Sequence, residues 1–126
     1  MISGTVEEED VVIPPPVPEP TRPLADPQKV TQALEVLRNA ERPLLNVGKG
    51  TASSRAEEEL LRFVEETRIP FLTSPMAMGM LPPDHPMNVS AARTQALKGA
   101  DTILLAGARF NWMFHFGQPP RFAPDF

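Results

Sequence analysis

Hydrophobic residues recur at helical spacing in three segments, and a short apolar run follows each of them. The inner faces of the helical segments are Val30, Ala33, Leu34 and Leu37, then Leu60, Leu61, Val64 and Thr67, then Ala92, Ala96 and Leu97. The apolar runs are Pro43–Val47, Ile69–Thr73 and Thr102–Ala106. Alternating helices and strands are typical of a parallel sheet with right-handed crossovers. The pattern therefore predicts an α/β fold, a Rossmann-like, doubly wound parallel sheet covered on both faces.

Residues with known preferences for helix ends mark the limits of these helices. Asp26, followed by proline, predicts the start of the first helix. Ser54 and Glu57 form a capping-box pattern, which predicts that the second helix starts near Ser54. For the third helix, Ser90 is the expected cap and Gly99 the expected stop.

The net charge of −4 is unevenly distributed along the chain. Residues 1–20 contain five acidic and no basic residues, whereas the remainder has 12 basic and 11 acidic residues. No basic stripe or apolar run of about 20 residues is present, so neither nucleic acid nor a membrane is an expected partner. The chain has no cysteine, and His85 and His115 lack metal-ligand spacing. We therefore predict no metal site and treat both histidines as loop or packing residues.

Prolines are concentrated near the beginning of the chain, where seven of the 16 lie between Pro14 and Pro27. Such a segment favours extended, polyproline-like backbone over helix or central strand. We predict an acidic, proline-rich connector over residues 1–25 and a domain over residues 26–126. A loose tail and a proline-rich ligand for another protein are the alternative interpretations of the connector.

Glycine and a basic side chain follow both the first and the third predicted strand. Gly48, Lys49 and Gly50 follow the first, and Gly107 and Arg109 follow the third. The carboxyl ends of parallel strands meet at one edge of the sheet, where ligands of such folds bind. Glycine lets backbone approach a ligand closely, and the two cations could hold phosphate. This arrangement indicates a nucleotide or pyrophosphate site, to which the second helix would add backbone N–H groups.

Simpler interpretations of the same residues stay open. Lys49 is equally compatible with an ordinary surface lysine, and Arg109 with an ion pair to Asp84 or Asp101. Better-known phosphate motifs do not fit, because a Walker A loop needs a glycine five residues before Gly48, where proline stands. The second strand also ends without the acidic residue of the usual NAD fingerprint.

Four stretches resemble one enzyme family. They are RPLLNVGKGTA, IPFLTSPMAMGMLPPDHP, SAARTQALKGADTILLAGARFNWMFHFG and PPR. Together they resemble the central domain of thiamine-diphosphate-dependent 2-hydroxyacyl-CoA lyases and the related oxalyl-CoA decarboxylases. The HFGQPPRF ending is more similar to the lyases.

The resemblance implies a three-domain parent enzyme that uses thiamine diphosphate and Mg²⁺. In that family other domains supply the activating glutamate and the GDG metal motif, and the central domain binds FAD or ADP or helps to seat CoA. We therefore expect an incomplete central domain without lyase activity of its own, working with the other domains of a homo-oligomer in the cytoplasm or peroxisome. The alternative is a non-catalytic interaction or nucleotide-binding module from a truncated gene product.

The resemblance also assigns roles to particular residues. Lys49 and Arg109 would face ADP or the ADP part of CoA, and Asn111 is grouped with them as a cofactor-binding residue. Asn111 and Trp112 would shape the turn after the third strand and pack against neighbouring domains. Asn46 departs from the family, which usually has an apolar residue there, so it would bury an amide that needs partners. Met78 stands where the family more often has lysine.

Overall fold

A computed structural model describes residues 4–18, 21 and 23–122. The helices are α1 (Pro27–Asn39), α2 (Lys49–Ser53), α3 (Glu57–Thr67) and α4 (Arg93–Gly99). The strands are β1 (Pro43–Val47), β2 (Phe71–Thr73) and β3 (Thr102–Ala106). Short 3₁₀ turns cover Glu8–Asp10, Pro75–Ala77 and Ser90–Ala92, and Trp112–Gly117 is a kinked turn whose backbone is non-helical at Phe114, His115 and Phe116. Three predicted strands are thus present, with the first and third at their predicted bounds.

The three strands form one parallel sheet in the order β2-β1-β3. The predicted α/β, Rossmann-like architecture is confirmed. The outer edge of β2 is closed by a loop, because Phe71 accepts a hydrogen bond from the N–H of Val89 (3.0 Å) and donates one to the carbonyl of Met87 (2.9 Å). Within the described residues no strand pairs with the outer edge of β3, and every residue of β3 is only partly buried.

The sheet has a hydrophobic cluster on each face. On one face Leu45 and Val47 pack with Leu60 and Val64 of α3. The other face carries a second cluster, which consists of Leu44, Leu72, Leu97, Ala100, Phe114 and Phe122. Asn46 of β1 is fully buried, and neither atom of its amide has a hydrogen-bond partner among the described residues. The expected burial of this amide is therefore confirmed.

Helix α1 begins where the sequence predicts but buries less than its pattern suggests. The N–H of Gln28 donates to the Asp26 carboxylate at 2.8 Å, which confirms the N-cap. No residue of α1 is buried, and Val30 and Leu34 are 44% and 38% exposed. The predicted inner face is therefore wrong for most of this helix. Only Leu37 packs against a core cluster.

Two predicted helix caps are wrong, and the reason is local. Helix α2 starts immediately after Gly48, so Ser54 lies at the C-terminal end of α2 and its hydroxyl donates to the carbonyl of Gly50 at 2.9 Å. Helix α3 then begins at Glu57 without a side-chain cap. Ser90 starts a 3₁₀ turn ahead of α4 and provides no side-chain cap either. Helix α4 ends at Gly99, as predicted.

A carboxylate ties together the starts of β1 and β3. Asp101 accepts hydrogen bonds from the backbone N–H groups of Glu41 (3.0 Å) and Arg42 (2.9 Å) through one oxygen. The Arg42 side chain donates in return to the carbonyl of Gly99 at 2.6 Å. The amino ends of the two strands are therefore joined by side-chain as well as ladder hydrogen bonds.

Candidate functional site: a cavity at the carboxyl edge of the sheet

The loops after β1 and β3 cross in direct backbone contact. Gly50 donates its N–H to the carbonyl of Gly107 at 2.9 Å, and Gly48 donates to that of Ala106 at 2.8 Å. A Cβ atom on Gly48 would lie 2.4 Å from the Gly107 oxygen, and one on Gly107 would lie 2.4 Å from the Thr51 nitrogen. Gly107 also has a φ of +59°, which favours glycine. The contact between the loops is thus sufficient to explain these three glycines.

A cavity of about 380 Å³ opens beside this crossing. Its walls come from the loops after all three strands, and the lining residues are Gly48, Lys49, Ser74, Pro75, Met76, Gly107, Ala108, Arg109, Asn111, Met113 and Phe114. Five of the six residues predicted from sequence are therefore brought together. Gly50 is not among them, because it lies against Gly107 within the crossing.

Lys49 and Arg109 bring two positive charges to this cavity. Both residues are exposed, and no ion pair involving either is found in the described part of the chain. The proposed pairing of Arg109 with Asp84 or Asp101 is not observed, and Asp101 is engaged at the opposite edge of the sheet. The lining contains no acidic residue. The cavity therefore has the charge that an anionic ligand requires.

The backbone donors expected from a helix N-terminus are largely occupied. Helix α2 begins at Lys49 rather than near Ser54. The N–H of Gly50 is taken by Gly107, and that of Thr51 by the carbonyl of Gly48 at 3.1 Å. Anion binding in this cavity would consequently depend on the Lys49 and Arg109 side chains more than on the helix.

The wall after β3 is a tight turn shaped by Asn111. Its side-chain oxygen accepts from the N–H of Met113 (3.0 Å), and its carbonyl accepts from Phe114 (3.0 Å) and Phe116 (3.1 Å). The predicted turn-shaping role of Asn111 is confirmed. Trp112 is 73% exposed, so its packing against other domains stays a prediction.

Two arginines beside this wall were not predicted as site residues. The Arg93 guanidinium lies 4.7 Å above the ring of Phe114, and Arg121 Nη1 donates to the carbonyl of Met113 at 3.0 Å. Burial lowers the pKa of Arg93, and the nearby charge of Arg121 lowers it further. Both residues lie in stretches that resemble the family, but the sequence alone assigns neither a role, because the contacts bridge 21 and 8 positions of sequence. Only the folded chain brings them to the turn.

The histidine predictions also bear on the site. His85 accepts a hydrogen bond from the N–H of Met87 at 3.1 Å, and its ring lies 5.6 Å from that of Phe71, which confirms a packing role.

Within residues 4–18, 21 and 23–122 no three His, Cys, Asp or Glu side chains converge to hold a metal ion. None of the helices in those ranges has the length and apolar character to cross a membrane.

Residues 30–126 match the family described as the central domain of thiamine pyrophosphate enzymes. The chain belongs to this family. It is 50% identical to human 2-hydroxyacyl-CoA lyase 1 over 102 residues, which cover 81% of the chain and 18% of that protein. The lyase of Dictyostelium discoideum is 53% identical over 100 residues, 79% of the chain and 17% of the relative. Oxalyl-CoA decarboxylase of Escherichia coli K12 is 48% identical over 92 residues, which cover 73% of the chain and 16% of that protein.

These matches confirm the family resemblance on which the sequence prediction rested. They also show that the chain spans less than a fifth of the length of these relatives. The names of the relatives state the reactions that those proteins catalyse. For this chain the reaction and the ligands are proposed below.

Proposed function

We propose that this chain is the nucleotide-binding central domain of a thiamine-diphosphate- and Mg²⁺-dependent carbon–carbon lyase that acts on 2-hydroxyacyl-CoA. In this role it seats ADP or the ADP part of CoA and takes no part in bond cleavage. The other domains of a homo-oligomeric enzyme supply the catalytic groups. The names of the relatives support the reaction class, and the decarboxylation of oxalyl-CoA is the variant of it that the bacterial relative suggests.

One observation carries the nucleotide assignment. Lys49 and Arg109, which follow different strands, line the same cavity without an acidic partner in the described residues. A diphosphate suits two such cations, because arginine binds phosphate oxygens through a planar fork and lysine acts as a point charge. Met76 and Met113 add apolar surface to the same walls for the less polar part of the ligand.

The described residues do not fit a Mg²⁺–diphosphate site for thiamine diphosphate, since no group of acidic side chains converges among them. We therefore assign no step of the thiamine chemistry to these residues. The cofactor supplies the carbanion-stabilising chemistry of the family when it is bound to the whole enzyme. This chain's share is to position the nucleotide end of the substrate.

The test is calorimetric titration of ADP and CoA into the wild-type chain and its Lys49→Ala and Arg109→Ala variants. A charge-assisted hydrogen bond contributes about 1.5–3 kcal/mol, so each variant should bind about ten- to a hundred-fold more weakly. The loss should shrink at high salt, because both side chains are exposed. Arg62→Ala removes another exposed charge, which lies on α3 and does not line the cavity, and should bind as the wild type does.

Adenosine, which lacks phosphate, is the control ligand. An equal loss of adenosine affinity would indicate a collapsed turn rather than a lost phosphate contact. Unchanged ADP and CoA affinity in both variants would show that Lys49 and Arg109 are ordinary surface charges.

A second candidate function, docking of other protein surfaces, is favoured by the exposed aromatic residues of the turn after β3. Trp112 and Phe116 are 73% and 65% exposed, more than aromatic side chains usually are in folded domains. Packing against neighbouring domains of the parent enzyme would cover them. Protection of Trp112 from acrylamide quenching in the assembled enzyme, relative to the isolated chain, is the expected result, and equal quenching would contradict it.

A further inference from the structure

The cavity wall formed by Asn111, Met113 and Phe114 is contacted by Arg121 and Phe122, which do not line the cavity themselves. Arg121 donates from Nη1 to the carbonyl of Met113 at 3.0 Å. A hydrogen bond from a charged donor is roughly twice as strong as one between neutral groups. The link therefore restrains the backbone of the residue that faces the ligand space.

The next residue, Phe122, adds an aromatic contact to the same wall. It is almost fully buried, and its ring meets that of Phe110 edge-on at 5.4 Å between centroids. Phe110 in turn meets Phe114 edge-on at 6.3 Å. Residues 121 and 122 thus restrain the turn through one backbone contact and one aromatic contact.

The turn needs such support because its backbone is strained. His115, Phe116 and Gly117 have successive φ values of +47°, +52° and +76°. A left-handed conformation costs a residue other than glycine about 1–3 kcal/mol, and it persists only where surrounding contacts enforce it. Without those contacts the chain at 115 and 116 would relax to ordinary backbone, and the wall preceding it would move.

Arg93 limits the positions that the Arg121 guanidinium can take beside the Phe114 ring. Its guanidinium already covers the Phe114 ring at 4.7 Å, and its charge repels that of Arg121. The Met113 carbonyl, with its negative partial charge, is the one protein acceptor that the structure gives to Arg121 among the described residues.

We infer that Arg121 is a positioning residue of the nucleotide cavity, which fixes the Met113 carbonyl and so keeps the Asn111–Phe114 wall in its binding conformation. The inference rests on the proposed nucleotide-binding function. Arg121 acts through the wall and not through its charge on the ligand, so its loss should weaken binding equally at low and high salt. This behaviour distinguishes it from Arg109, whose contribution should be screened by salt.

The chain carries its own reporter for this turn. Trp112 is the single tryptophan of the sequence, and it lies in the turn with most of its side chain exposed. Its fluorescence anisotropy measures the freedom of the turn without any ligand. A role for Arg121 in direct ligand contact would leave this anisotropy unchanged in the ligand-free protein.

The experiment compares the wild type with Arg121→Gln, Arg121→Lys and, as a matched loss of a surface arginine, Arg62→Gln. We expect Arg121→Gln to lower the Trp112 anisotropy in the absence of ligand and to weaken ADP binding about tenfold at both 50 mM and 500 mM salt. Arg121→Lys, which keeps the positive charge and an N–H donor group, should recover part of both properties. Arg62→Gln should match the wild type, since Arg62 is an exposed residue of α3 that pairs with Glu66 and does not line the cavity.

Two results would overturn the inference. One is wild-type anisotropy in Arg121→Gln, and the other is an ADP defect that disappears at 500 mM salt, which would make Arg121 a charge that attracts the ligand. If the wild type binds no ADP at all, the proposed nucleotide function fails. The positioning of the turn is then judged by anisotropy alone, with Arg121→Lys as the informative variant should Arg121→Gln prove unfolded by circular dichroism.

Discussion

The N–H of Gly50 donates to the carbonyl of Gly107 at 2.9 Å, and neither residue has room for a side chain. A Cβ on Gly50 would lie 2.8 Å from the Gly107 Cα, and one on Gly107 would lie 2.8 Å from both the Cα and the carbonyl carbon of Gly50. This contact presses together two loops that lie 57 positions apart. It also brings Lys49 and Arg109 to the same cavity, so the glycines serve the site indirectly.

Replacement of Gly107 by alanine should therefore destabilise the fold. The φ of +59° alone costs a residue with a side chain about 1–3 kcal/mol, and the contact with the Thr51 nitrogen adds to this. Urea unfolding should show the loss in midpoint. Gly99→Ala is the matched control, because nothing lies within 4 Å of its added Cβ at the end of α4, and it should be neutral or slightly stabilising. Similar midpoints for both variants would contradict this account of the crossing.

Replacement of Asn46 by leucine should raise the free energy of unfolding by about 1–3 kcal/mol. A buried polar group without a partner costs about that much, and leucine branches at the same carbon without polar atoms. Asn46→Asp is the opposite control, since it buries a charge at the same place and should be strongly destabilising. A leucine variant less stable than the wild type would mean that the amide is satisfied in solution, for example by a buried water molecule.

Among the described residues the outer edge of β3 has no partner strand, and this edge should make the purified chain self-associate. An unpaired, largely apolar strand edge is a template for intermolecular pairing. Sedimentation velocity should therefore show association that increases with protein concentration. Leu105→Lys, on β3 and outside both core clusters, should suppress it. Leu24→Lys is the control, because it replaces an exposed leucine outside the sheet, and it should have no effect. A monomer at every concentration would rule out this consequence of the edge.

The strands and their parallel arrangement could be predicted because short apolar runs separated by helical patterns leave few topologies. The helix caps could not be predicted, because one residue can fit the sequence pattern of more than one helix end. Ser54 matches a capping box, yet the chain uses it to end α2, a helix of five residues that is too short to give a periodic signal. The exposure of the apolar face of α1 could not be predicted either, since periodicity indicates which residues could be buried but not whether another element covers them.

The candidate site also has features that could be predicted from the sequence and features that could not. Lys49 and Arg109 were predictable because parallel strands bring their carboxyl ends together, a rule that follows from topology alone. The same rule could not reveal that Gly50 contacts Gly107 rather than the cavity. It also could not reveal Arg121, whose contact with Met113 depends on the path of the chain around a strained turn.

The link from Asp101 to the backbone of Glu41 and Arg42 has a kinetic consequence. It closes the amino end of the β1–β3 pair, and the Gly50–Gly107 bond closes the other end. A strand pair tied at both ends is restrained from fraying, so the amide protons bonded between β1 and β3 should exchange with solvent only when the whole unit opens. Helix α1, which buries no residue, should exchange through small local openings and much faster. We therefore expect the backbone beneath the cavity to exchange more slowly than α1, so that the loops carrying Lys49 and Arg109 start from a more stable part of the fold.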